Sequence, residues 1–446
     1  MPANQKTIFI SSFFGLVARN ILATDFLRIL SSDSKLRLVI VVPENKVSFY
    51  SQWFGASNVV VEGVGAKVMS GRDIFFSSLF LNLSDTQARK VHRFIEFKKD
   101  KKYLKFLYHV FLARVIGKVR AFRTLFRWLD FNLSDRDRFR RLFEKYNPIM
   151  VFSTDMFEPN DVDLAREAKH RGVFTIGMVR SWDNVTTKGL NRIIPDKFIV
   201  STPALREELV RYNDINSGDI FVVGVPHYDK YIKNQRTDRK TLFEKLGLDP
   251  NKKTILFAPP SSIYSGNEPI AEEIVKLFYE YDIQIIIRLY IVGSVNLGNI
   301  KPAPNKIAVD DPGSSSDFTE ADLTKGDDHL ADLLYNSDVV IAFASTLAID
   351  AIVFGRPVVF INFDVAPKPY WESLRRFYDY DHQRAILRTG GVKLAQNTGE
   401  LVEFVNMYLS NPKLDEDGRR KVIEKRCWKL DGQSSERLAN IVLKFL

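Results

Sequence analysis

Residues Ala331 to Asp364 restrict the possible folds more than any other part of this 446-residue chain. An amphipathic stretch leads into Val339–Phe343, an apolar run of strand length. Ser345 and Thr346 then open a second helical segment, which stops at Gly355 before Pro357, and Val358–Ile361 is the next strand. A helix–strand–loop–helix–strand unit of this kind belongs to a parallel sheet wrapped by helices.

The same alternation runs through most of the chain. Strand-like and helix-like runs follow one another at Thr7–Phe13, Ala18–Leu30, Leu36–Val42, Val47–Phe54 and Val59–Val61. They resume at Ile149–Ser153, Asp161–Arg171, Val173–Val179, Lys197–Val200, Pro203–Tyr212 and Ile220–Val223. Asn234–Lys252 is polar and ends in a Pro-containing turn, which marks a boundary. Beyond it come Thr254–Ala258, Ile270–Tyr281, Ile283–Leu289, the unit above, a strand near Val392–Leu394, and helices at Thr398–Ser410 and Arg419–Lys429. Gly293–Lys325 reads as loop, with a flexible turn at Gly313–Asp317. The expected architecture is α/β, two Rossmann-like doubly wound domains facing a cleft: 1–229, 230–420, and a last helix, 421–446, returning to the first domain.

Cys427 is the single cysteine, which rules out an internal disulfide and suits a reducing compartment; the bland role for it is a small residue on a C-terminal helix. No run reaches the ~18 apolar residues a membrane span needs. The net charge of +10 is concentrated: residues 84–145 hold 18 Lys and Arg against 7 Asp and Glu, leaving the rest of the chain near neutral. In that segment Phe94, Phe97, Leu104, Leu107, Phe111, Phe122 and Trp128 recur at helical spacing among the cations, describing a basic amphipathic helical insertion, 84–146. Such a face suits an anionic lipid surface; alternatively its apolar stripe packs on the core and its cations are solvated. The aliphatic content speaks against nucleic acid.

Ligands of open parallel sheets bind beyond the carboxyl ends of strands, so polar residues there carry most weight. In the second domain these are Pro259 and Ser261 after one strand, Arg288 at the end of another, and Ser345 and Thr346 at a helix start, where unpaired amides suit a phosphate. Asp350 lies one turn from Thr346, placed for ribose hydroxyls. Ser and Thr are also ordinary helix caps, and Arg288 could equally form an ion pair. In the first domain, Arg19 and Asn20 follow a glycine turn, and Arg180–Gly189 is the densest polar loop of the chain. Within it Asp183 is the candidate base for an acceptor hydroxyl, with Ser181, Asn184 and Lys188 beside it and Arg180 for phosphate. Asp183 and Asn184 could instead stabilise a turn. The histidines show no metal-ligand spacing, and Asp310-Asp311 and Asp327-Asp328 are expected to cap turns and the helix at His329, so no metal and no resident cofactor are expected.

The chain resembles GT-B-type glycosyltransferases of bacterial surface-polysaccharide assembly and, more distantly, the CDP-glycerol glycerophosphotransferases. Three groups of residues carry the resemblance over 5–83 and 147–446: Ser181-Trp182-Asp183-Asn184 with Lys188-Gly189, Gly224–Tyr231, and Asp332 through Phe363, with a closing Leu430–Arg437. It implies donor nucleotide on the C-terminal domain, acceptor on the N-terminal one, and no required metal. Non-hydrolysing nucleotide-sugar 2-epimerases share the second-domain pattern, with Ser-Gly-Gly where this chain has Ser345-Thr346-Leu347. The glycerophosphotransferases carry Trp-His-Gly in the acceptor loop and His-Pro after the central strand; here Asp183 and Tyr290 stand instead. The expected activity is glycosyl transfer from a nucleotide-sugar donor to a hydroxyl of a lipid-linked or growing cell-surface glycan. The expected location is cytoplasmic, peripheral at the inner face of the cell membrane. The alternatives are a CDP-glycerol-type polyol phosphotransferase and a 2-epimerase.

Overall fold

The computed structural model describes residues 5–290, 293–313 and 327–446. The chain divides into two compact units, Met1–Ile232 with Cys427–Leu446, and Lys233–Arg426. The second unit therefore opens at Lys233 rather than 230, and the returning segment starts at Cys427 rather than 421.

The first unit is built on seven parallel strands: β1 (Lys6–Ser11), β2 (Leu36–Pro43), β3 (Val59–Val64), β4 (Met150–Ser153), β5 (Phe174–Met178), β6 (Lys197–Val200) and β7 (Ile220–Val222), in the order β3-β2-β1-β4-β5-β6-β7. Ile8, Phe9 and Ile10 on β1 and Val39, Ile40 and Val41 on β2 are wholly buried. A strand covered on both faces has to be apolar at every position, which is why these runs are continuous rather than alternating.

The second unit repeats the plan with β8 (Lys253–Ala258), β9 (Ile283–Arg288), β10 (Ile307–Asp310), β11 (Val339–Ala342), β12 (Val358–Ile361) and β13 (Lys393–Ala395), ordered β10-β9-β8-β11-β12-β13. Both units are Rossmann-like: strand order reverses between β1 and β4 in one and between β8 and β11 in the other. Beside such a reversal the helices leave the sheet in opposite directions and open a crevice. β10 corrects the reading of Gly293–Lys325 as loop. It is only four residues long, follows Pro302 and Pro304, and gains its order by pairing with β9, Val309 opposite Ile287. The turn expected at Gly313–Asp317 lies outside the described residues apart from Gly313.

Two further expectations change. The run Ala18–Leu30 is not one helix, because Thr24 interrupts it: its hydroxyl donates to Ile21 O (2.6 Å) and accepts from Phe26 N (3.3 Å), capping a new helix at Asp25–Ser31. The helical insertion between β3 and β4 begins well before residue 84. Its helices are Gly71–Leu83, Gln87–Asp100, Tyr103–Arg114, Arg120–Leu133 and Arg140–Tyr146. Phe76, Leu79, Phe80 and Leu83 of the first helix form a core with Leu112 and Leu190, against which Phe126 and Leu129 pack. Buried charges fasten this layer to the sheet domain. The wholly buried Asp130 accepts from Arg192 (2.7 Å) and from Arg166 of helix Pro159–His170 (3.2 Å), and Lys67 pairs with Asp163 at 2.6 Å. A paired network of this sort is costly to break from one side, because the abandoned partner stays buried and charged.

Two of the segments that carry the family resemblance lock together. Asp229 accepts from the amides of Ser434 (3.0 Å) and Ser435 (2.7 Å), occupying the start of helix Ser434–Lys444, while Arg437 Nε donates to Val223 O at 2.8 Å. Gly224 has φ +92°, and a Cβ there would lie 2.4 Å from Ser434 Oγ. Their role is to close the first unit with the chain's own C-terminus. Gly224→Val is therefore expected to lower stability by at least about 2 kcal/mol, through left-handed strain plus collision. Asp229→Ala should cost about 1 kcal/mol for the lost cap. Urea unfolding of each variant measures both.

Candidate active-site residues at the two sheet reversals

In the first unit the reversal is lined by side chains that bind one another. Thr154 N donates to Ser11 Oγ (2.8 Å) and Thr154 Oγ1 to Ser11 O (3.0 Å), which ties the ends of β1 and β4. Ser11 Oγ in turn donates to the wholly buried Asp161, whose other oxygen has no hydrogen-bond partner among the described residues. Burial, with the carboxylate of Glu158 nearby, pushes Asp161 well above the ordinary carboxyl range. Asp155, also buried, accepts from Arg180 Nε at 2.8 Å, and the Arg180 guanidinium lies 3.9 Å from the ring centroid of Phe14.

The polar loop after β5 turns on Asp183. Its carboxylate is half-buried and accepts from the hydroxyls of Ser181 and Thr187, the latter at 3.4 Å. Its backbone carbonyl accepts from the Thr186 and Thr187 hydroxyls. Hydroxyl donors thus orient the carboxylate, and no side-chain cap bond to the following helix, Asn184–Thr187, is made. Asn184 departs from expectation: it is buried and its amide lies 3.4 Å from Asp155, so it shapes the loop from inside rather than facing an acceptor. Lys188 is exposed. Arg19 Nε donates to Asn20 Oδ1 (2.8 Å), and both are partly exposed just after β1. The insertion buttresses this loop. Thr86 Oγ1 donates to Thr186 O at 2.6 Å, and a Cβ on Gly189, φ +85°, would strike Leu81 Cα at 2.6 Å.

In the second unit the loops after β8, β9, β11 and β12 converge. Ser262 N donates to Ser294 O (2.7 Å), which clamps the loops after β8 and β9. Tyr264 stacks edgewise toward Phe377 and lies 5.7 Å from Phe343, at the end of β11. Lys368, beyond β12, donates to Ser265 O and pairs with Glu268, both at 3.0 Å. Tyr378 holds the neck of the β11 loop, accepting from Ala344 N (3.2 Å) and donating to Ile361 O (2.8 Å). None of Tyr264, Lys368 or Tyr378 stood out in the sequence, since each reaches the site from a segment without motif or periodicity.

Among the expected donor residues, Pro259 and Ser261 are buried at the end of β8, and Ser261 Oγ has no partner among the described residues. Ser345 is half-buried and Thr346 exposed, immediately before helix Leu347–Val353, which starts two residues later than Ser345 suggested. The amide of Ser345 has no backbone partner among the described residues. Asp350 is buried one turn on, its amide donating to Thr346 O. Arg288 is the correction. It is buried against Asp310, which also accepts from His329 Nε2 at 2.8 Å. Against the upward push of burial, the hydrogen bond from His329 and the Arg288 guanidinium hold the Asp310 carboxyl below the ordinary range. Neighbouring strand ends impose that pair, since Arg288 and Asp310 face each other in the β9–β10 register. Asp310 is therefore an ion-pair partner and not a turn cap, while Asp311 accepts from Gly313 N at 2.9 Å, and Asp328 pairs with Arg236 at 3.2 Å. No cluster of three possible metal ligands occurs among the described residues.

Asp161 gives a signed pH expectation. Its pKa is raised on folding above 3.8, so its contribution is fully present below that value and is lost as pH rises toward the folded value. Asp161→Asn keeps an acceptor for Ser11 without the titration. Between pH 5 and pH 8, a span of about 3 units, the melting temperature should fall less for the variant than for the parent.

Known proteins can now be set beside this geometry. The family model for CDP-Glycerol:Poly(glycerophosphate) glycerophosphotransferase matches residues 178–444. Solved structures align over the whole length. An S. aureus MnaA–UDP co-structure matches with TM-score 0.56 and 12% identity, covering 99% of this chain and 97% of that one. A Neisseria meningitidis UDP-GlcNAc 2-epimerase bound to UDP-GlcNAc gives 0.56 and 12%, over 99% and 100%. A Rickettsia africae glycosyltransferase gives 0.50 and 14%, over 99% of both chains. At these identities the likeness is one of fold, and it is the fold of GT-B glycosyltransferases and epimerases. A comparison with the curated proteins finds no match. The family match spans the polar loop of Asp183, the whole second unit and the C-terminal clasp, and the chain is therefore a member of the CDP-glycerol:poly(glycerophosphate) glycerophosphotransferase family.

Proposed function

We propose that this transferase moves a sugar from a nucleotide-sugar donor to a hydroxyl of a lipid-linked or growing cell-surface glycan, as a cytoplasmic protein peripheral at the inner face of the membrane. The observation that carries the donor half is the buried Ser261 hydroxyl at the second sheet's reversal, which has no partner among the described residues, with the half-buried Ser345 just before the helix that follows β11. A diphosphate would satisfy that hydroxyl, and a buried donor left unmade costs about 1–3 kcal/mol, so its satisfaction favours binding. Thr346 joins Ser345 at the phosphate, and Asp350 serves the ribose. Arg288, already neutralised by Asp310, supports the strand ends rather than gripping phosphate. Pro259 shapes the loop that carries Ser261. The acceptor half uses Asp183 to take the hydroxyl proton, with Ser181 and Thr187 orienting it and Lys188, Arg19 and Asn20 on the acceptor side. Structural neighbours solved with UDP and with UDP-GlcNAc support a nucleotide-sugar donor. No metal and no cofactor enter this scheme, in which hydrogen bonds alone stabilise the leaving diphosphate.

The family match supports a second reading, transfer of a polyol phosphate from a CDP-activated donor. The two reactions break different bonds. Sugar transfer cleaves the anomeric carbon–oxygen bond and releases a nucleoside diphosphate. Polyol-phosphate transfer cleaves the phosphoanhydride and releases CMP. The absence of histidine at Asp183 and Tyr290 favours the first.

A thermal-shift screen with UDP, GDP, CDP and CMP tests the donor site, because a ligand selective for the native state must stabilise it. One nucleoside diphosphate is expected to raise the melting temperature, with Ser261→Ala and Ser345→Ala each weakening its affinity by about tenfold. Stabilisation by CMP alone would shift the assignment to polyol-phosphate transfer. With the matching donor, Asp183→Ala is expected to abolish turnover and leave nucleotide affinity within about twofold. Unchanged turnover in that variant would remove Asp183 from the mechanism.

A further inference from the structure

Helix Arg120–Leu133 is inside out. On the surface of a water-soluble domain the apolar face of a helix packs inward and the charges face water. Here the charges point into the protein: Arg123 pairs with Asp214 (2.8 Å), Arg127 donates to the carbonyls of Asn191 (3.0 Å) and Asn213 (3.1 Å), and Asp130 is wholly buried under Arg166 and Arg192. The outward residues are Phe122, Leu125 and Trp128, the tryptophan 60% exposed. Helix Tyr103–Arg114 adds a second outward stripe at Leu104, Leu107 and Phe111, with Leu104 84% exposed. Both helices rest on helix Gly71–Leu83, the first through Phe126 and Leu129, the second through Leu112. Core packing is thus satisfied by other residues, and it does not account for the apolar faces left outside.

Exposed cations stand at the ends of these stripes. Lys99, Lys101 and Lys102 precede Tyr103, while Arg114, Lys118 and Arg120 occupy the junction of the two helices. The nearby acids Glu96 and Asp100 are both engaged by Lys105. Apolar side chains flanked by cations match the cross-section of one leaflet, acyl chains below and phosphates at the rim. No described helix is long and apolar enough to cross a membrane, so such contact lies in the plane of the surface.

We infer that these two helices form a docking surface for an anionic lipid bilayer, with Leu104, Leu107, Phe111 and Trp128 entering the acyl layer and the Lys99–Lys102 and Arg114–Arg120 clusters meeting lipid phosphates. The inference deepens the peripheral location given above, but it is independent of the reaction, since lipid binding is read without turnover.

The test is vesicle flotation of the full chain, with phosphatidylcholine vesicles and with phosphatidylcholine–phosphatidylglycerol vesicles. The protein is expected to float with the mixed vesicles, to float poorly with the neutral ones, and to be released by high salt. Leu107→Glu/Trp128→Glu should cut binding by at least about tenfold. Lys99→Gln/Lys101→Gln/Lys102→Gln should lower binding to the mixed vesicles by about a hundredfold, and as a change of exposed residues it carries the test if the first variant folds poorly. Failure to float, or equal flotation with neutral vesicles, overturns the inference. So does a chain that is dimeric in solution and that Leu107→Glu/Trp128→Glu renders monomeric, which would give the face to a second copy.

Discussion

A parallel strand covered on both faces leaves polar chemistry nowhere to go but its ends. In both units that constraint sorts the sequence: Ile8–Ile10, Val39–Val41 and Ile285–Ile287 are interior, and hydroxyls, amides and charges gather where β1, β4, β8 and β11 stop. The two reversals are occupied differently. At the first, Ser11, Thr154, Asp155, Asp161 and Arg180 largely satisfy one another, so the crevice is a braced floor from which the Asp183 loop projects. At the second, the buried Ser261 hydroxyl has no partner among the described residues, and Ser345 stands half-buried just before the helix that follows β11.

The fold was legible because burial on both faces writes itself as apolar runs, and every described strand but β10 follows from such a run, Lys197–Val200 and Val358–Ile361 being recovered to the residue. What was not legible has physical causes. β10 is four residues that follow two prolines and owes its order to pairing with β9 rather than to its own composition. The break at Thr24 depends on one hydroxyl bonding both forward and backward, which no hydropathy pattern reports. At the candidate sites, the sequence located strand ends but not what the side chains do there. Arg288 and Asn184 look like ligands as residue types, yet the β9–β10 register that opposes Arg288 to Asp310, and the loop that turns the Asn184 amide toward Asp155, commit them to the protein. Motif residues Gly224, Asp229 and Arg437 proved to be architectural, because the contact that explains them spans more than two hundred positions.

The helical layer between β3 and β4 illustrates how far composition can mislead. Its surplus of cations suggests a solvated basic face, yet Arg123 and Arg127 are spent inside, on a carboxylate and carbonyls, and its Asp130 meets Arg166 and Arg192 of the sheet domain there, while aromatic and aliphatic side chains stand outside. Ion pairs share here the work of the hydrophobic seam around Phe80, Leu83, Leu112 and Leu190. They exact strict geometry in return, because each guanidinium must meet its partner in a place water cannot reach.

Helix Gly71–Leu83 stands under both this layer and the loop of Asp183: Leu112, Phe126 and Leu129 bear on its core side, and Gly189 is pressed against its backbone at Leu81. One helix therefore supports both the loop of the candidate base and the two helices that carry the outward apolar stripes. Under the proposed reading, with the apolar stripes on a bilayer and Asp183 as base, an enzyme built so would measure its acceptor like a depth gauge, reaching the hydroxyl that stands at one elevation from that plane and passing over those nearer or farther along the same molecule.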